Sequence, residues 1–201
     1  MAFYKKCLVL LTATILTAGC ASTKVTRVEP STTIDLSGAW NDTDARLASQ
    51  ELIKDSLTRG WLDRFIGSHG RNPVVIVGHM ANKSSEHINT HVITKELEKV
   101  LLDSGKANFV ASPTEREDVR DERDDQQKGW TDPATIKAIG KEHGADFMLL
   151  GSINSVTDEL KGKSAIYYQV NLEMVDLLTN EKVWIGQKEI KKKVERRGHS
   201  L

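Results

Sequence analysis

Val74-Val75-Ile76-Val77 is the feature that most restricts the fold of this 201-residue chain. Four apolar β-branched residues in succession form a strand whose two faces are both buried, so other structure must cover each side of it. The surrounding pattern predicts helices alternating with short buried strands, which is the signature of an α/β domain.

Asn41-Asp42-Thr43-Asp44 offers several helix caps, and Leu47, Leu52, Ile53, Leu57, Trp61 and Phe65 follow at helical spacing, with a break expected near Gly60 or Gly67. Gly78–Asn89 reads as a polar loop, Thr90 as the cap of a helix carrying Val92, Ile93, Leu97, Val100 and Leu101, and Ala107–Ala111 as a short strand. Ser112-Pro113 opens a helix that is almost wholly charged, with Val119 its lone apolar residue. A further helix is expected over Ala134–His143, started by Asp132-Pro133, and a third strand over Phe147–Leu150. Alternation from Tyr168 to Asp176 and from Val183 to Lys191 around a turn at Thr179-Asn180 predicts an antiparallel hairpin. The order is α, β, α, β, α, α, β, β, β. The expected architecture is therefore a single α/β domain over residues 40–194, with helices packed on a mixed sheet that ends in a C-terminal hairpin and a 195–201 tail.

The first residues serve location rather than fold. Lys5 and Lys6 precede the apolar stretch Leu8–Leu16, and small Ala18 and Gly19 precede Cys20. This is a secretory signal, too short for a membrane span of about 20 residues. Leu16-Thr17-Ala18-Gly19-Cys20 reads as a bacterial lipobox, with Thr17 where leucine is usual. The expectation is cleavage after residue 19 and acylation of Cys20, with two or three chains making attachment durable. No aspartate follows Cys20, which favours the outer membrane facing the periplasm. Residues 20–39, rich in Ser and Thr, read as a flexible tether with an extended reach of about 60 Å.

Removing residues 1–19, which hold two lysines and no acid, leaves 182 residues with 26 basic and 28 acidic side chains. That balance argues against nucleic acid as a partner. The other cysteine, Cys7, leaves with the signal, so the mature chain relies on its core rather than on a disulfide.

Motifs for catalysis are missing: no Gly-x-Ser-x-Gly, no phosphate loop, no His-Glu-x-x-His. His87 and His91 have metal-ligand spacing, but a cap at Thr90 leaves His87 outside the helix, and no metal or cofactor is expected. Asp42 and Asp44 read first as caps and alternatively as a carboxylate pair for glycan cleavage. Trp40 is either a staple holding the helix start to the core or an exposed anchor for a partner. Arg116, Arg120 and Arg123 among acids, with Trp130 in the next loop, read as a solvated face or a docking surface. Trp184 is expected to pack.

At these residues the chain resembles the LpoB family of lipoproteins. The resemblance rests on the lipobox, Ser37–Asp44, Val74–Gly78, Ser104-Gly105-Lys106, Gly144–Ser152, and Tyr168–Leu172 running to Glu181–Gly186. It implies a fold like the amino-terminal domain of TolB and an outer-membrane lipoprotein that activates a class A penicillin-binding protein, a peptidoglycan synthase, without catalysis or a small-molecule substrate of its own. The tether here is shorter than the proline-rich ones of that family. Gly144–Phe147 and the following Gly151-Ser152 also resemble CsgG-type secretion lipoproteins, so a structural or accessory role in an envelope assembly is the alternative, and a cell-wall hydrolase a lesser one.

Overall fold

The computed structural model describes residues 23–137 and 140–195, so Cys20, the signal and the tail beyond Glu195 lie outside the described residues. Helices α1 (Asp42–Leu57) and α2 (Gly60–His69) lead into strand β1 (Val74–Lys83). Helix α3 (Thr90–Asp103), strand β2 (Asn108–Phe109) and helix α4 (Pro113–Gln126) follow, then strands β3 (Phe147–Leu160), β4 (Lys163–Asp176) and β5 (Lys182–Glu195). The sheet order is β2-β1-β3-β4-β5; β1 runs parallel to β2 and β3, and the last three strands are antiparallel. This is the mixed α/β architecture expected from the sequence.

One face of the sheet carries the core. Val75, Val77, Phe147, Leu149, Ile153, Tyr168, Val170, Leu172, Met174 and Trp184 meet Ile53, Trp61, Ile93, Leu97 and Leu101 from the helices. Trp61 and Phe65 approach Phe147 edge-on at 5.0 and 5.2 Å, a geometry that adds to the burial of their area. Val74–Val77 is buried at every position, as its composition requires.

Several elements differ from the sequence expectation. The first helix breaks at Thr58-Arg59, beside Gly60 as expected, but Leu47 points to solvent rather than inward. β1 continues through the stretch read as a loop: after a register shift between Val77 and Met80, residues Met80–Lys83 pair with Gly151–Asn154. Asn89, not Thr90, caps α3, its side chain accepting from the His91 N–H at 3.1 Å. The expected helix over 134–143 does not form in the described residues; a single turn, Thr135 N–H to the Asp132 carbonyl at 2.9 Å, stands in its place. β2 is only two residues long. β3 and β4 extend into a long ribbon closed at Lys161-Gly162, whose φ values of 43° and 79° match the paired positive φ of a type I′ turn.

Asp146 explains why an acid stands just before β3. Its carboxylate takes both arms of the Arg71 guanidinium at 2.8 Å and the Val74 N–H at 2.8 Å, tying the start of β3 to the start of β1. The hydrogen bonds from Arg71 hold this carboxyl below the usual range, against the opposing effect of burial.

Candidate interaction surfaces

The sequence-selected residues separate into two places. The first is where the chain enters the domain. Asn41 caps α1 through a reciprocal box: its side chain accepts from the Asp44 N–H at 3.0 Å, and Asp44 accepts from the Asn41 N–H at 3.0 Å. Asp44 is 6% exposed, and its charge is met by Lys192 on β5 at 2.6 Å. The same ammonium reaches Asp35 at 2.9 Å and the Ala39 carbonyl at 3.2 Å. Burial pulls the Lys192 pKa down, but hydrogen bonds to Asp44 and Asp35 outweigh it and leave the value raised.

The Trp40 ring packs edge-on against Tyr168 at 5.4 Å, and its backbone N–H donates to Glu86 at 3.1 Å. The Tyr168 hydroxyl donates to the other Glu86 oxygen and lies 3.1 Å from the Gly38 carbonyl. Burial first, and the Glu86 carboxylate second, push the phenol pKa well above its ordinary value. Residues 35–39, read from sequence as the end of the tether, are thus hydrogen-bonded to the sheet as a strap. Gly38 is required there: a Cβ would stand 2.4 Å from Val194 and 2.8 Å from Ile166. Trp40 is a staple, reaching across to β4 rather than back to its own helix. Asp42 is exposed on the first turn, on a different side of the cap from buried Asp44, so the two do not form a carboxylate pair. Glu86, Tyr168 and Lys192 complete this junction. Sequence reasoning placed Tyr168 on an alternating strand but had no signal for the other two.

The second place is α4. A capping box joins Ser112 and Glu115, Pro113 occupies the first turn, and no residue of the helix is buried. Lys95, at 2.5 Å, and the Ser112 N–H hold the Glu115 carboxyl at about 2. Arg120 grips Glu142 with two hydrogen bonds, 2.9 and 2.7 Å, and Arg123 approaches it at 3.5 Å. Arg116 is half-buried beside them, and Trp130 is 88% exposed. Arg116, Arg120 and Arg123 therefore gather around Glu142, which the sequence did not flag, and Trp130 is exposed in the loop that follows α4. Between the start of α4, α3 and the sheet runs a groove of about 890 Å³, floored by Ile76, Gly78, Met148 and Leu150.

Among the described residues, no three His, Cys, Asp or Glu side chains gather as a metal centre, and no helix is long and apolar enough to cross a membrane.

No curated protein matches the chain. Solved structures similar to it include the LpoB C-terminal domain from Salmonella enterica (18% identity, 74% of this chain and 99% of that one, TM-score 0.38). The LpoB C-terminal domain from Escherichia coli is similar at 16% identity over the same shares, with a TM-score of 0.41. Lipoprotein GNA1162 from Neisseria meningitidis is similar at 16% identity, covering 63% of this chain and 88% of that one, with a TM-score of 0.38. The model of one family, the peptidoglycan-synthase activator LpoB, matches residues 44–190. The match starts at Asp44 in the first turn of α1 and ends at Ile190 on the last strand, so it takes in nearly all of the helices and most of the sheet. The chain belongs to the LpoB family of peptidoglycan-synthase activators.

Proposed function

We infer that this protein is an outer-membrane lipoprotein, anchored through acylated Cys20, that binds a class A penicillin-binding protein and raises its rate of glycan-strand synthesis without catalysis of its own. The family match over residues 44–190 carries this reading. The contact face is α4 with its following loop. Trp40 and Asp44 hold the strap and the start of α1, whereas Arg116, Arg120 and Arg123 lie along α4 around Glu142 and Trp130 is exposed in the loop after it. An exposed tryptophan beside arginines is the composition of a binding anchor, and the surrounding charges set encounter rate and orientation. Asp42, exposed on the first turn of α1, is the remaining candidate.

Titration of the unacylated chain onto the purified synthase of the same organism tests this reading. Arg120→Glu with Arg123→Glu is expected to weaken binding at least tenfold, about 1.4 kcal/mol, and to flatten its salt dependence. The fold is expected to tolerate the change, because exposed ion pairs contribute about 0–1 kcal/mol each. Unchanged affinity with an intact fold would remove α4 from the interface, and no binding by the wild type would remove the partner.

A further inference from the structure

One edge of β1 is open. β2 pairs with Val74 and Val75 only, and among the described residues no strand lies on that side of β1 beyond them. In a parallel ladder each residue turns its N–H and C=O to the same neighbour, and successive residues alternate sides. Val75 turns toward β2, since its carbonyl accepts from the Val110 N–H at 3.2 Å. The register is unbroken from Val75 to Val77 against Phe147–Leu149. Val77 therefore turns its main chain to the same side, past the end of β2. The far edge of the sheet, β5, carries Lys182, Lys188 and Lys191–Lys193, charges that discourage a further strand. Val77–Met80 has no lysine.

The groove of about 890 Å³ between α3, the start of α4 and the sheet follows this edge. Its lining takes in Val77 and Met80 of β1, Thr94 of α3, Pro113 of α4, and Met148 and Leu150 of β3. Val77 belongs to the core face, where α3 packs, and Met148 and Leu150 alternate onto the other face. An added strand would therefore find cover for both sets of its side chains. Lys95 is committed to Glu98 at 2.7 Å and to Glu115 at 2.5 Å. Two carboxylates thus oppose one ammonium in the lining, which disfavours an acidic occupant. An acyl chain would leave the Val77 main chain without a partner, whereas an extended polypeptide brings both a donor and an acceptor.

We propose that the open edge of β1 takes an extended, non-acidic segment of the synthase as an added strand, seated between α3 and the start of α4. The inference rests on the synthase reading and carries its contact face from α4 into the groove, since Pro113 and Glu115 belong to both. Main-chain bonds at Val77 supply affinity. Alternate side chains of the segment, turned toward Thr94 or toward Met148 and Leu150, supply selectivity.

The test uses the unacylated mature chain, residues 21–201, which retains the compact unit from Thr33 onward, and the purified class A enzyme of the same organism in detergent. Amide hydrogen exchange over residues 77–80 is expected to slow at least tenfold in the complex. Val77→Pro deletes the outward N–H without touching the ladder to β3, and is expected to weaken binding at least tenfold. Thr94→Trp fills the groove from α3 and is expected to do the same; should the proline variant not fold, this variant and the exchange measurement decide. Circular dichroism and thermal unfolding establish which variants are folded. Binding by the wild type with unchanged exchange over 77–80, and equal binding by the folded variants, overturns the proposal and leaves the synthase reading standing. Slowed exchange in the chain alone at high concentration would assign the edge to a second copy, and slowed exchange in detergent alone would assign the groove to acyl chains; either overturns it. No binding by the wild type removes the synthase, and the proposal with it.

Discussion

Lys192→Met is expected to lower the unfolding free energy by about 3 kcal/mol, near the low end for breaking a buried ion pair because the lysine side chain keeps 13% of its exposure. The cost comes less from the lost attraction than from Asp44, which stays 8% exposed at its side chain with no counter-charge. Among the described residues, the Asn41 N–H of the capping box is then the one hydrogen bond left to its carboxylate. Asp44→Asn in the Lys192→Met background removes the stranded charge and should recover much of the loss, measured by denaturant unfolding of both variants. Because the folded-state pKa of Lys192 is raised, its contribution is present in full below the ordinary lysine value of about 10.4. It is lost as pH climbs through the raised value, so Lys192→Met should also flatten the alkaline limb of the stability profile. An unchanged midpoint in the single variant would show that the pair contributes nothing to stability.

The second large effect is at Tyr168, the largest side chain in the core with no exposure. Tyr168→Ala opens a cavity beneath Trp40 and should cost about 3–5 kcal/mol. Tyr168→Phe keeps the ring against Trp40 but strips Glu86 of one donor and the Gly38 carbonyl of its neighbour. That change should cost about 1–3 kcal/mol and speed amide hydrogen exchange over residues 38–41, while exchange in α3 stays slow. If the phenylalanine variant leaves exchange over 38–41 unaltered, Tyr168 does not hold the strap.

How far the sequence announced this structure depends on whether its signals were local. Val74–Val77 declared a buried strand because burial on both faces leaves no polar alternation. Ser112-Pro113 announced α4 because a proline at the first turn and the run of pairable charges after it are local signals. The end of β1 was missed because Ala81-Asn82-Lys83 extends beyond the core, where a strand gains nothing from apolar residues and is held by backbone bonds to β3. The helix expected over 134–143 rested on Ile136 and Ile139 alone, too few apolar positions to hold a short helix interrupted by Gly140. The ribbon turn at Lys161-Gly162 was passed over because its flanking residues are solvated on most sides.

The candidate surfaces follow the same division. Arg116, Arg120 and Arg123 could be grouped from sequence because their spacing puts them on one side of a helix, where the structure has them around Glu142. The strap could not, because its partners are far away: Trp40 meets Tyr168, and Asp44 meets Lys192 in a run of three lysines that look alike in sequence. Only the pleat decides that Lys192 faces inward while Lys191 and Lys193 face out.

The central claim is that this domain raises the output of a peptidoglycan synthase. Glycan-strand synthesis from lipid-linked precursor by the organism's own class A enzyme, followed with and without the unacylated chain, tests it most directly. A several-fold rise in rate that saturates with added chain, and is lost in Arg120→Glu with Arg123→Glu, is the expected result. A rate that does not change at any concentration of folded chain would contradict it.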